Sequence, residues 1–218
     1  MKRVILLLLA LTAWLVPLGA DLTEWIESTD RDQNGEIIRL LTDADLETSA
    51  TVARALGTRR DIDLSTIIEH LHRVRIHGDR ANAELILLLL LDSFFSDNLT
   101  QDQKTARFNQ NREALTACLA DISGLERDDL RARLIHLIPF TDGTGFHSLL
   151  AEEGTRLVEI MRTRDGALTL AETREILAIL DVIEARSLGD LTGLCAKIIL
   201  YTNDPEVVRR ARTVALGL

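Results

Sequence analysis

The sequence predicts an all-α fold, an α-solenoid in which antiparallel helix pairs stack into a superhelix, and three observations predict it. The first is an internal echo. Thr42 to Gly57 reads TDADLETSATVARALG, and Thr202 to Gly217 reads TNDPEVVRRARTVALG. Both open on Thr followed by Asp or Asn, both close on Ala-Leu-Gly, and both follow an Ile/Leu-rich run (IIRLL, KIILY). Such a unit is a helix end, a polar turn and a second amphipathic helix. The second observation is composition. Aromatics make up 4% of the 218 residues while Leu, Ile, Ala, Arg and Glu abound, which favours helices over a β-sandwich. The third is spacing: apolar residues recur at three and four along most of the chain, with only three prolines to interrupt it. A hydrophobic content of 46% is ample for a core.

In order, Leu22, Trp25 and Ile26 could share one face of a short helix over 21–28, which the polar segment DRDQNG interrupts. Helices are then predicted over 36–41 and 47–56, with Val52, Ala53 and Leu56 on one face and Gly57 as C-cap. Asp63 can cap a helix that carries Leu64, Ile67, Ile68, Leu71 and Val74 and stops at Gly78. Asp79 starts the next, which runs to about Phe94; its stretch Leu85 to Leu91 is apolar all round, as in a helix covered on more than one side. One long helix is predicted over 101–121, then another over 126–138 closed by Pro139, and an irregular loop over 139–145. Helices over 146–161, 169–186, 191–201 and from Pro205 onward complete the chain. Thr169 and Glu172 have the spacing of a capping box, and Pro205 sits at a first helical position, where its missing N–H costs nothing.

The stretches LLTDADLETSATVARALGTRRDIDLSTIIEHL and IILYTNDPEVVRRARTVALG resemble HEAT repeats. The resemblance rests on Leu40, Leu41, Asp43, Asp45, Val52, Arg54, Ala55, Leu56 and Gly57, and in the second copy on Leu200, Asp204, Pro205, Val207, Arg209, Ala215, Leu216 and Gly217. The two units cover about a third of the chain beyond its leader; between them the helices lengthen and Ala-Leu-Gly is lost. The resemblance implies a solenoid whose inner helices present side chains to a partner.

Residues 1–20 read as a secretory signal peptide, with Lys2 and Arg3 leading an uncharged stretch from Val4 to Val16 and small residues before Asp21. The domain is then 21–218, secreted or periplasmic, and no later apolar run approaches the roughly 18 residues of a membrane span. Net charge is −9, and −11 without Lys2 and Arg3, which disfavours nucleic acid as a partner. Cys118 and Cys195 lie 77 residues apart in apolar helical contexts, so two buried thiols are expected rather than a disulfide.

Chemistry is sparse. Asp30, Asp32 and Asn34, followed by Gly35 and Ile37, match part of a calcium loop, but Leu41 stands where a bidentate Glu belongs, so a polar turn is the simpler reading and no cofactor is expected. Asp165 to Glu172 fits the other half of such a loop, and the capping box explains it. His70, His72 and His77 share a helix without the spacing of a metal site. Asp142, His147 and Ser148 lack any nucleophile-elbow context. Arginine outnumbers lysine 22 to 3. Solvated helix faces account for most of that bias, and Arg54, Arg73, Arg75, Arg209, Arg210 and Arg212 are the candidate partner-binding residues, as carboxylate-gripping anchors.

The expected function is a non-enzymatic interaction module, a scaffold or adaptor, whose partner is another exported or envelope protein or peptide. Because a repeat unit stands at the last residues, self-association is a further expectation. The alternative is a ligand or lipid carrier, or an enzyme, with a cleft beside residues 85–95. An open cavity along that helix would favour the alternative, and a filled core the module.

Overall fold

The computed structural model describes residues 34–218 apart from 43, 60–62 and 142–144. Residues 1–20, read above as a signal peptide, Asp30, Asp32, Asp43 and Asp142 lie outside the described residues, as does the side chain of Asn34. The described residues form eleven α-helices and three short 3-10 turns, with no strand among them. The helices are α1 (Asn34–Thr42), α2 (Leu46–Thr58), α3 (Ser65–His77), α4 (Arg80–Phe94), α5 (Gln101–Gln110), α6 (Arg112–Ala120), α7 (Asp128–Ile135), α8 (His147–Thr163), α9 (Leu170–Ala185), α10 (Thr192–Tyr201) and α11 (Pro205–Gly217). The 3-10 turns are Ile122–Gly124, Ile138–Phe140 and Gly189–Leu191.

Local chemistry sets the ends. Asp45, Asp79 and Asp204 each accept a backbone N–H from the first turn that follows, and Thr100 and Thr169 complete capping boxes with Gln103 and Glu172. At the end of α8 the chain turns through left-handed Asp165 (φ 53°) and Gly166 (φ 83°), and the Gly166 N–H donates to Met161 O at 2.7 Å. A side chain on Gly166 would strike Asn203, whose own N–H donates to Gly166 O at 3.2 Å. The loop-like fragment 165–172 is therefore a helix stop followed by a helix start.

Contacts between helices follow chain order. One row runs α2, α4, α7, α9, α11, each packed on the next. Beside it α1, α3 and α6 touch in sequence, as do α8 and α10, and the pairs α1–α2, α3–α4, α8–α9 and α10–α11 each pack together. The core is the seam between these rows. At its middle is α4, on which α2, α3 and α7 all pack. Ile86, Leu87, Leu90, Leu91 and Phe94 are buried and Leu85 and Leu89 half-buried, which is the all-round cover its apolar pattern calls for. At about 25 cal/mol per Å² of apolar surface removed from water, each such side chain contributes roughly 1.5–3 kcal/mol.

Three details depart from the sequence reading. Gly57 is not a cap: α2 continues to Thr58, and a Cβ at Gly57 would meet Ser93 Cβ at 2.4 Å, Leu90 O at 2.7 Å and Phe94 N at 2.8 Å. Glycine is there so that two helix backbones can touch. The predicted helix over 101–121 is two, α5 and α6, hinged at buried Asn111. Asn111 Nδ2 donates to Arg107 O at 3.0 Å, and the break lets Phe108 and the face Ala114, Leu115, Cys118 and Leu119 reach the core from different directions. The helix before Pro139 is shorter than its pattern, because 138–140 tightens into a 3-10 turn. Cys118 and Cys195 are both free and buried. Burial pushes the Cys118 thiol up to about 12 and Cys195 also above its ordinary value.

The two echoing units are each a helix, a short turn and a second helix capped by aspartate, and they differ in what covers them. Leu56 is fully buried against the rest of the row, whereas Leu216, at the matching place in α11, is 89% exposed and Gly217 faces open space.

Candidate functional site

The C-terminal end of a helix leaves carbonyls without intrahelical partners. Along the row these ends come together, and arginines close them. Arg107 donates from Nη1 to Gly57 O at 3.3 Å and to Phe94 O, so the ends of α2 and α4 lie side by side; its guanidinium also rests 4.6 Å over the Phe94 ring. Arg133, on α7, donates from Nη2 to Leu91 O (3.2 Å), Asp92 O (3.3 Å) and Phe95 O (2.7 Å), and its Nε stands 3.0 Å from Asp92 Oδ1. Arg186, just beyond α9, closes the turn after α7 through Ile138 O, Pro139 O and Thr141 O.

Above this seam, two adjoining recesses of about 300 and 500 Å³ cross α4, α7 and α9 and share Asp97, Arg133, His136 and Asp181. Together they make one groove. Its apolar floor is Leu88, Ala132 and Leu177 on one side and Leu137, Phe140 and Val182 on the other. Its rim is charged and balanced. Asp129 is held 2.7 Å from Arg127 Nη2, and Asp181 2.6 Å from Arg210 Nη2, while Arg174 and Lys104 supply further cations. Burial pushes the Asp92 carboxyl above the ordinary carboxylate range against the pull of Arg133, and Asp129 and Asp97 add to the rise. An apolar floor inside a rim of both signs suits an amphipathic segment rather than a bare ion.

His136 sits where the recesses meet. Burial pushes its imidazole below the ordinary value of 6.5, with Asp181 opposing and Arg133 adding to the fall. Burial lowers His72 on α3 in the same way, with Arg75 beside it adding. A base whose folded value is depressed binds fewer protons in the native state than in the unfolded chain across the interval between the two values. The contribution of these two histidines is therefore complete above about pH 6.5 and is lost as pH falls through that interval. The urea midpoint is expected to drop between pH 7.5 and 5.5, and a His72→Gln/His136→Gln double variant to drop less. An equal drop in both proteins would overturn this assignment.

Arg54 and Arg73 are exposed on α2 and α3, and Arg209 and Arg212 are exposed on α11. Arg75 is buried: Nη1 donates to Gly124 O at 3.1 Å, Nη2 pairs with Asp121, and Glu84 Oε1 lies 3.9 Å away. It joins α3 to the 3-10 turn after α6, and just beyond that turn Glu84 accepts the N–H groups of Glu126 and Arg127. Arg210 holds Asp181 and, at 2.7 Å, Glu184, and so borders the groove without lining it. None of the six lines the two recesses. Three residues that do, Leu88, Asp92 and Phe95, fall in the stretch 85–95 where the alternative reading set a cleft; the rest were passed over, though Asp181, like Asp92, had one visible signal, a carboxylate interrupting an apolar helical run (ILAILDVI, LLLLLDSFF). His147 Nε2 stands 2.6 Å from Asp190 Oδ2, while Ser148 is exposed. Among the described residues no three His, Cys, Asp or Glu side chains are grouped to hold a metal, and no helix is long and apolar enough to cross a membrane.

Compared with protein-family models, curated proteins and solved structures, the chain matches none of them.

Proposed function

We propose that the chain is a non-enzymatic protein-interaction module, a HEAT-like α-solenoid that works as a scaffold or adaptor outside the cytoplasm, bound to an exported or envelope protein. The two rows of helices are read as the two layers of the solenoid, and the groove over α4, α7 and α9 as the place where a partner segment lies. One observation carries the reading. The groove crosses three successive helices of one row above a filled core, so it is a surface built by stacking rather than a pocket within one element. Export rests on the leader-like residues 1–20. The carrier alternative places its cleft beside residues 85–95; Leu88, Asp92 and Phe95 of that stretch line the groove, while Ile86, Leu87, Leu90, Leu91 and Phe94 are each at most 3% exposed in the core beneath it.

A photo-crosslinking residue placed at Arg174, in the groove, and separately at Arg73, on the other row, tests this in the full chain expressed in its own host. The expected result is one crosslinked protein of defined mass from position 174 and none from 73. A second copy of the chain at 174 would make the module self-associating. No protein adduct at 174, or the same adducts at both positions, would overturn the reading.

A further inference from the structure

Between the start of α8 and the turn that joins α9 to α10 lies a cavity of about 360 Å³ that shares no lining residue with the groove. Its walls are apolar, from Ile138, Phe146, Leu150 and Leu188, and its polar groups are Arg186 and the facing pair His147 and Asp190. Arg186 sets its chemistry. Every hydrogen bond that this side chain makes among the described residues leaves from Nη2, to Ile138 O (2.8 Å), Pro139 O (3.2 Å), Thr141 O and Thr141 Oγ1 (3.2 Å). Those bonds fix the guanidinium plane. Nε is buried without a partner, and Nη1 makes no hydrogen bond among the described residues.

A guanidinium is charged at every accessible pH and carries five donors in a rigid fork. Here one nitrogen is saturated by neutral carbonyls and a hydroxyl, and no described carboxylate pairs with the group. The carboxylate that shares the cavity, Asp190, has its Oδ2 2.6 Å from His147 Nε2, in a contact that makes no hydrogen bond. A fixed cation against an apolar wall, with donors left over, is complementary to an anion on an apolar body. The first turn of α8 adds to this, since no side chain among the described residues caps it and its N–H groups carry the positive end of the helix dipole. At the ~30 Å³ that one water occupies, the space holds roughly a dozen non-hydrogen atoms.

We infer that this cavity binds a medium-chain organic carboxylate, with the anion on Nη1 of Arg186 and the alkyl chain against Ile138, Phe146, Leu150 and Leu188. The site does not depend on the interaction groove, and either can fail without the other. Calorimetric titration of the full chain at pH 7.5 with decanoate and, separately, with 1-decanol tests it. The expected result is one decanoate per chain and binding of decanol at least tenfold weaker, because a charge-assisted bond to a guanidinium is lost. Arg186→Gln is expected to abolish the difference between the two probes. Because that change also removes the clamp on three carbonyls, Leu188→Glu provides a second variant: it sets a carboxylate of the chain's own beside Arg186 and is expected to weaken decanoate at least tenfold while Tm is kept. No decanoate binding, equal binding of the two probes, or decanoate binding by Leu188→Glu at wild-type strength would each overturn the inference.

Discussion

Gly57→Ala is expected to destabilise the chain by about 1–3 kcal/mol, although the same change in an open helix stabilises by up to about 1 kcal/mol. The reason is the contact between α2 and α4. A single added methyl at Gly57 meets the Ser93 Cβ, the Leu90 carbonyl oxygen and the Phe94 nitrogen, all closer than 3 Å. Two of the three are backbone atoms of a buried helix and cannot turn aside, so the helices must separate along the seam that holds Leu56, Leu90 and Phe94. Gly217→Ala is the internal control. Nothing lies within 4 Å of its added Cβ, and the change is expected to be neutral or slightly stabilising. Urea denaturation of both variants reads the contrast. A Gly57→Ala protein as stable as its parent would mean that α2 and α4 do not approach in this way.

The larger expected effect comes from Glu175. It is fully buried on α9 and accepts from Arg156 Nη2 at 2.6 and 2.7 Å and from Arg131 Nε at 3.4 Å. Arg156 Nε also donates to buried Glu153 at 2.8 Å, and Arg131 turns to Asp128 and the Leu125 carbonyl. Burial pushes the Glu175 carboxyl above the usual carboxylate range, and the bonds from Arg156 oppose it. Glu175→Ala leaves two guanidinium groups with too little buried negative charge, and the expected loss is about 3–5 kcal/mol, read as a shift in urea midpoint at pH 7. Replacing the whole buried group by apolar side chains of similar volume, as in Glu153→Leu/Glu175→Leu/Arg131→Met/Arg156→Met, is expected to recover most of that loss. If the single variant costs less than about 1 kcal/mol, the network does not bear on stability.

The helices were legible because their signals are local. Aspartates and threonines at helix starts, a three-and-four rhythm of Leu and Ile, and Pro205 at a first turn each act within a few residues of themselves. The role of Gly57 was not, since a glycine that ends a helix and one that admits a neighbour look alike until Ser93 is known to face it. The same applies to arginine. Arg73 and Arg75 are two positions apart on α3, yet one is exposed and the other is buried on Asp121 and Gly124. Arg133 carries no mark in the sequence that it will meet the end of α4, some forty residues earlier. The groove is made of such distant pairings, which is why its residues escaped a reading by motif.

Those pairings bear on how the molecule comes apart. In a stack where each element meets only its neighbours, stability is the sum of what each pair holds by itself and what adjoining pairs share, and the balance decides between fraying and a single transition. Here much of the sharing passes through guanidinium groups. Arg107 joins α5 to α2 and α4, Arg133 joins α7 to α4, Arg186 joins the end of α9 to the turn after α7, and Arg210 joins α11 to α9. Losing one pair strands carbonyls or a cation on the next. The molecule is thus expected to melt in a single transition, and at these four positions arginine does what lysine would not, because one planar group can reach several acceptors where an ammonium offers a single point of charge.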